Sequence, residues 1–234
     1  MDDASTVVRL RDVTLRLGEG PLRYERENRA AIDANWARLS AANPRLWNGP
    51  FFLFEAVSLT GDALSGTARR TDFATFLYWR DHGKPGEATH ITGSSMPVMA
   101  DGALFAVRMG AHTANAGQVY FPGGSFDADD VIDGSFDVTR NLSRELVEET
   151  GLVFREAEAD ADFTAARGAN SYHIARRNRL PFGFVEGVER LRRHQAVTGD
   201  DEIETAVAVH ADWRDTVSLK PHAGLLADWH FANG

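Results

Sequence analysis

The stretch from Asp137 to Gly151 constrains this chain more than any other, because it has to fold as a helix while crowding three carboxylates together. Val138, Leu142 and Leu146 recur four residues apart, giving one apolar face, and Gly151 is placed as a C-terminal stop. Glu145, Glu148 and Glu149 stand at i, i+3 and i+4, so their side chains converge. Glu148 and Glu149 also occupy the last turn, where the helix dipole disfavours negative charge by about 0.3–1 kcal/mol each. An ordinary acidic helix is a solvated face, here with Arg144 paired to Glu148 one turn on. Charge placed against a local rule in this way marks a functional site. Hard divalent cations such as Mg2+ take a few carboxylates together with waters and substrate phosphates, which is the ligand set this face offers.

Upstream, Gln118 to Phe121 reads as a short strand that leads through Pro122 into the pair Gly123-Gly124. Glycines let a backbone approach a ligand closely and free a carbonyl for a metal. The remaining elements alternate between strand and helix. Val7 to Leu17 alternates apolar residues with arginines, as a half-buried strand does, and Glu27 to Ala42 has helical spacing that stops at Asn43-Pro44. Phe51 to Leu59 and Leu64 to Arg69 are strands around Gly61-Asp62, and Asp72 to Arg80 is a short helix. Asp101-Gly102 joins strands Met96 to Ala100 and Ala103 to Met109. Strands Tyr172 to Ala175 and Glu204 to His210 flank a helix around Val185 to Arg193. The pattern predicts an α/β or α+β layered fold. A Gly-, Pro-, Thr- and Ser-rich segment from His82 to Ser95 suggests a boundary near Gly86, with a β/α extension over residues 1–86 and the main domain over 87–234.

Composition narrows the chemistry. With 234 residues, 43% of them hydrophobic, the chain is large enough for one generous globular domain. The formal net charge of -9 argues against general attraction to nucleic acid or anionic membrane, so a phosphate-bearing substrate needs a local cation. The absence of cysteine excludes disulfides, thiolate metal sites and a Cys nucleophile, and suits a cytoplasmic protein. Met1-Asp2-Asp3 is acidic and no apolar run approaches a membrane span, so the chain reads as soluble and unprocessed. The eight histidines show no H-E-x-x-H pair, and Gly123-Gly124 lacks the lysine of a phosphate-binding loop. The sequence leaves the oligomeric state open, a homodimer among the options.

Phe121-Pro122-Gly123-Gly124, followed by Arg144-Glu145-Leu146-Val147-Glu148-Glu149-Thr150-Gly151-Leu152, resembles the Nudix box, G-x5-E-x7-R-E-U-x-E-E-x-G-U with U aliphatic. The second half matches at every fixed position. The first half departs from it: nineteen residues separate Gly124 from Arg144, six more than the pattern has, and the position of the first glutamate falls on Phe136. The insertion falls within Phe126 to Asp133, and Asp129, Asp130, Asp133 and Asp137 are the candidates to replace that glutamate. The resemblance implies an α/β/α sandwich around a mixed sheet and hydrolysis of a small-molecule nucleoside diphosphate derivative. It implies that Glu145, Glu148 and Glu149, with the Gly124 carbonyl, hold Mg2+ or Mn2+, and that Arg144 fixes a glutamate. The general base is left between Glu145 and a loop acid, with Glu202 in Asp200-Asp201-Glu202-Ile203-Glu204 as the loop candidate; that run is equally a polar turn before a strand.

The group attached to the diphosphate is a separate question. Asn35 to Leu39, Asn43 to Gly49 and Thr71 to Leu77 resemble the N-terminal region of UDP-sugar-hydrolysing Nudix proteins, which also carry an expanded box. This implies a nucleotide sugar; ADP-ribose, a dinucleotide or a coenzyme A derivative presents the same diphosphate, and a non-catalytic nucleotide-binding module is the alternative outside enzymes. Trp36, Trp47 and Phe76 are otherwise read as core. Arg176-Arg177-Asn178-Arg179 is read either as a contact for phosphate or sugar hydroxyls or as an exposed strand end.

Overall fold

The alternation from Val7 to Leu17 does not make one strand. In a computed structural model of the chain, which describes residues 6–113 and 115–233, it breaks at Arg11 into β1 (Thr6–Leu10) and β2 (Asp12–Leu17), and the two halves enter different sheets. The backbone can do this because Leu10 and Leu15 both lie fully buried in one apolar cluster beneath the two sheets. The acidic Met1-Asp2-Asp3 lies outside the described residues.

The other expected elements recur in order, some longer and some shorter than read, with further strands and helices that the sequence reading did not contain. α1 (Arg23–Ala42) begins four residues before the expected start, and Asn43 ends it. β3 (Pro50–Thr60) and β4 (Ala63–Asp72) form the expected antiparallel pair around Gly61-Asp62. α2 (Phe73–Asp81) is capped by Asp72, whose carboxylate accepts the Thr75 N–H at 2.8 Å. β5 (His90–Val98) and β6 (Leu104–Met109) meet at the Asp101-Gly102 turn, and β7 (Val119–Tyr120) and β8 (Gly123–Ser125) pair with β6 and β5 in turn. β9 (Val131–Ile132) and β10 (Ser135–Phe136) form a small hairpin before α3 (Val138–Thr150). β11 (Phe163–Gly168), β12 (Ser171–Arg179), α4 (Phe184–Thr198), β13 (Ile203–Val209), α5 (Trp213–Thr216) and α6 (Pro221–Ala232) complete the chain.

The product is a layered α/β fold with two mixed sheets. The larger runs β1-β11-β12-β5-β6-β13, with β12 and β5 parallel; the smaller runs β3-β4-β2-β10-β9, with β2 and β4 parallel. Helix α3 lies against β5 and β8, α4 against β13 and α3, and α6 against β11 and β1. One apolar cluster of Phe52, Phe54, Phe126, Phe136, Leu142 and Ile174 joins the sheets under α3. Phe136 meets Phe52 edge to face at 5.2 Å. The inserted segment of the box therefore has a structural task. It supplies the hairpin that pairs Ser135 with Arg16 and fastens the start of α3 to the smaller sheet. The turn of that hairpin, Asp133-Gly134, has both residues at positive φ. No helix among the described residues is long and apolar enough to cross a membrane.

Candidate functional site

Helix α3 is set at both ends by its own residues. Asp137 accepts the Arg140 N–H at 3.0 Å, and Gly151 closes the helix in the left-handed region at φ 67°. Of the four aspartates that stand near the missing glutamate, Asp137 is thus occupied as a cap, Asp133 turns the β9–β10 hairpin and Asp129 is exposed. Asp130 is fully buried, and Arg144 grips it from Nε at 3.1 Å and Nη2 at 3.0 Å. Asn141 Nδ2 and the Asp127 N–H donate to the same carboxylate at 2.9 and 3.0 Å. Of the four, Asp130 is the one held against Arg144, reached by a short 3-10 turn over Ala128–Asp130.

With its planar fork held by Asp130, Arg144 reaches the glutamates. Nη2 lies 2.9 Å from Glu145 Oε1 and Nη1 2.9 Å from Glu148 Oε2. Burial works against the guanidinium charge, but its hydrogen bond to Asp130 and the charges of Glu145 and Asp130 hold it firmly protonated. Glu149 turns the other way and accepts the Gly123 N–H at 3.0 Å. Burial pushes the Glu149 carboxyl well up, Glu145 pushes it further, and the Gly123 N–H opposes both. Glu145 rises to about 7, chiefly through burial; Arg144 pulls it down, and Glu148 and Asp130 push it up. Two half-buried carboxylates that repel each other are stabilised by cations.

The glycine pair is explained by close approach. A Cβ on Gly123 would stand 2.1 Å from the Gly93 carbonyl oxygen and 2.5 Å from Ser94 Cα, both backbone atoms of β5. One on Gly124 would stand 2.7 Å from Glu145 Oε2. Gly123→Ala is therefore expected to lower stability by about 2–3 kcal/mol through overpacking against backbone that cannot give way, read as a fall in the midpoint of chemical denaturation. An unchanged midpoint would remove the close-packing explanation.

Among the described residues, no three acidic or histidine groups stand ready at metal-ligand spacing. The reason is visible in the partners: Glu145 and Glu148 face Arg144, and Glu149 faces the Gly123 N–H. The donor set still suits a hard divalent cation, being carboxylate oxygens beside a backbone that only glycine allows this near. Glu202 is exposed in the loop before β13, and its backbone N–H donates to Asp200 Oδ1 at 2.8 Å. Its charge reaches Glu149, so the loop lies beside the cluster without touching it in this arrangement.

A cleft of about 730 Å3 opens beside Gly123 and Gly124. Its other walls come from segments that periodicity did not connect with the box: Phe51, Phe73 and Phe76 from β3 and α2, His173 from β12, and Lys220 and His222 from the start of α6. His173 and His222 stack with ring centroids 4.0 Å apart, and burial holds both well below the usual histidine range, His222 at about 4. Of the aromatics read as core, Phe76 lines this cleft and Trp47 is 75% exposed. The Arg176 to Arg179 run ends β12, with Arg179 exposed, and is tied down at Asp160. Arg176 is buried, donating to the Asp160 carbonyl at 2.6 Å, and Arg177 and Arg179 both pair with the Asp160 carboxylate.

No family model matches the sequence, and no curated protein matches it. Solved structures do resemble it in part. A Nudix hydrolase from Nitrosomonas europaea is 17% identical, covering 62% of this chain and 90% of its own, with a TM-score of 0.41. The Nudix domain of Shewanella oneidensis NrtR, solved with ADP ribose, is 12% identical over 67% of this chain and 96% of its own, with a TM-score of 0.42. A bifunctional NMN adenylyltransferase/ADP ribose pyrophosphatase from Francisella tularensis, solved with AMP and a manganese ion, is 13% identical over 68% of this chain and 46% of its own, at 0.42. Each of these likenesses is partial and distant in sequence.

Proposed function

We propose that this protein is a metal-dependent Nudix-type pyrophosphohydrolase that cleaves the diphosphate of a nucleoside diphosphate linked to another moiety, a nucleotide sugar in particular. The observation that carries the reading is the half-buried pair Glu145 and Glu149, drawn against Gly123 and Gly124, with Glu145 oriented by the Arg144 that Asp130 holds. Nothing in the packing of α3 requires half-buried carboxylates at these positions; a site for divalent cations does. The nucleotide-sugar assignment is supported by the resemblance of the N-terminal segments and of the expanded box to UDP-sugar-hydrolysing Nudix proteins.

Glu145, Glu148 and Glu149, with the Gly124 carbonyl, would hold Mg2+ or Mn2+. When bound, such cations neutralise charge on a diphosphate and lower the pKa of a bound water. The chain's own groups do the positioning. Arg144 divides its fork between Asp130 and the carboxylates of Glu145 and Glu148, so it presents those oxygens in fixed directions. The proton of the attacking water would pass to Glu145 or to Glu202, the loop acid whose charge reaches the cluster. The aromatic wall of the cleft excludes water from one side of the substrate.

The direct test is turnover of UDP-glucose with Mg2+, followed by product identification. The expected products are a nucleoside monophosphate and a sugar phosphate. Absence of turnover across a panel that also holds ADP-ribose, dinucleotides and coenzyme A removes the hydrolase reading, and turnover of another member alone corrects the substrate.

A further inference from the structure

The cleft also gathers cations that the hydrolysis of a diphosphate does not account for. In a chain of net charge -9, Arg80, Lys84 and Lys220 line one cavity, and all three charges act on His90 between them. Arg80 lies 5.7 Å over the Phe76 ring, and its carboxylate partner is the adjacent, solvent-facing Asp81. The Lys220 ammonium lies 4.8 Å over the Tyr120 ring and donates to Asn115 Oδ1 at 2.9 Å. Neither lysine has a carboxylate partner among the described residues; the charge that Lys220 meets is that of Arg80.

Lys84 is held in place at a conformational cost. It sits at φ 55°, a left-handed conformation uncommon for a lysine. Its N–H donates to the Trp79 carbonyl at 2.9 Å, and its carbonyl accepts from Asn170 Nδ2 at 2.8 Å, which ties this turn to the β11–β12 hairpin. The fold thus docks a cation from the N-terminal segment onto the larger sheet, facing another from the start of α6. Beside them, Phe51 and Phe76 stack at 4.3 Å. Two lysines without a carboxylate partner, beside an arginine and an aromatic wall, are complementary to an anionic, ring-bearing ligand. The carboxylates of α3 pair instead with Arg144 and the Gly123 N–H.

Resting on the diphosphate-hydrolase reading, we propose that the cleft selects a nucleoside diphosphate derivative carrying a further anionic group, a carboxylate or a phosphomonoester, which Arg80, Lys84 and Lys220 bind away from the acidic helix. Such a group adds charge-assisted hydrogen bonds that the neutral analogue lacks, which corresponds to about tenfold or more in affinity.

Two matched pairs separate the sources: UDP-glucose against UDP-glucuronic acid for a carboxylate, and NADH against NADPH for a phosphomonoester. Affinity is measured by calorimetry with Mg2+ omitted, and kcat/KM by product release with Mg2+ present. The expected result is a preference of about tenfold or more for the more anionic member of one pair, falling toward unity in Lys84→Met and in Lys220→Met and retained in Lys220→Arg. Equal affinity within both pairs, no binding of any member, or a preference that survives both methionine variants overturns the proposal. Turnover of both members with equal efficiency keeps the hydrolase reading and removes this one; selective binding without turnover does the reverse.

Discussion

Replacing Glu149 with glutamine is expected to lower metal-dependent hydrolysis by on the order of 10³-fold, because on the proposed function one anionic ligand of the cation site is lost while its shape is kept. The fold should survive. Glutamine retains an oxygen to accept the Gly123 N–H, and the substitution removes a half-buried charge that Glu145 repels. Thermal denaturation of the variant should give an unchanged or raised melting temperature beside the lost activity. Activity within a few fold of the parent would show that Glu149 is a packed carboxylate and no ligand; a collapsed melting temperature would assign it to the scaffold.

The second large effect is on stability. Asp130→Ala removes the fully buried partner of Arg144 and leaves a guanidinium with little exposure and two lost hydrogen bonds, while the Asn141 amide keeps only its bond to the Ser125 carbonyl. Breaking a buried pair from one side costs about 3 kcal/mol or more, which for a chain of this size is a fall in melting temperature of roughly 6–12 °C. Activity should fall as well, since Arg144 would no longer hold Glu145 and Glu148 in fixed directions. Asp130→Asn keeps the shape and one acceptor, so it should lie between the two. A variant Asp130→Ala as stable as the parent would show that Asp127, Glu145 and Glu148 anchor Arg144 without Asp130.

How much of this was legible beforehand varies along the chain. Helix α3 was readable almost residue by residue because Asp137, the four-residue apolar spacing and Gly151 agree locally. The choice of Asp130 was not readable. All four aspartates are similar as letters, and what separates them is the 3-10 turn and the hairpin that bury one carboxylate under Arg144. The break at Arg11 was equally hidden, since alternation reports that a residue faces a core and not which sheet its strand joins. Strand β11 contributes Ala165 and Ala166 to the core without a bulky alternating pattern, and α6 is apolar over much of its circumference, so neither had a clear period. The cleft was the least visible part. Lys220 is far from Arg80 and Lys84 in sequence, and only the fold brings the three to one cavity. One signal was available: Lys220-Pro221 reads as a helix start, which would have placed a cation at an element end.

The central claim is that the carboxylates of α3 hold divalent cations that act on a diphosphate. It is tested most directly by titrating Mg2+ and Mn2+ into the purified protein with a nucleoside diphosphate sugar as substrate and following nucleoside monophosphate release, with a chelator as the reverse titration. The account predicts release that rises with the metal, vanishes on chelation and is lost in Glu149→Gln. Release that persists in the chelator, or that Glu149→Gln leaves unchanged, would contradict it.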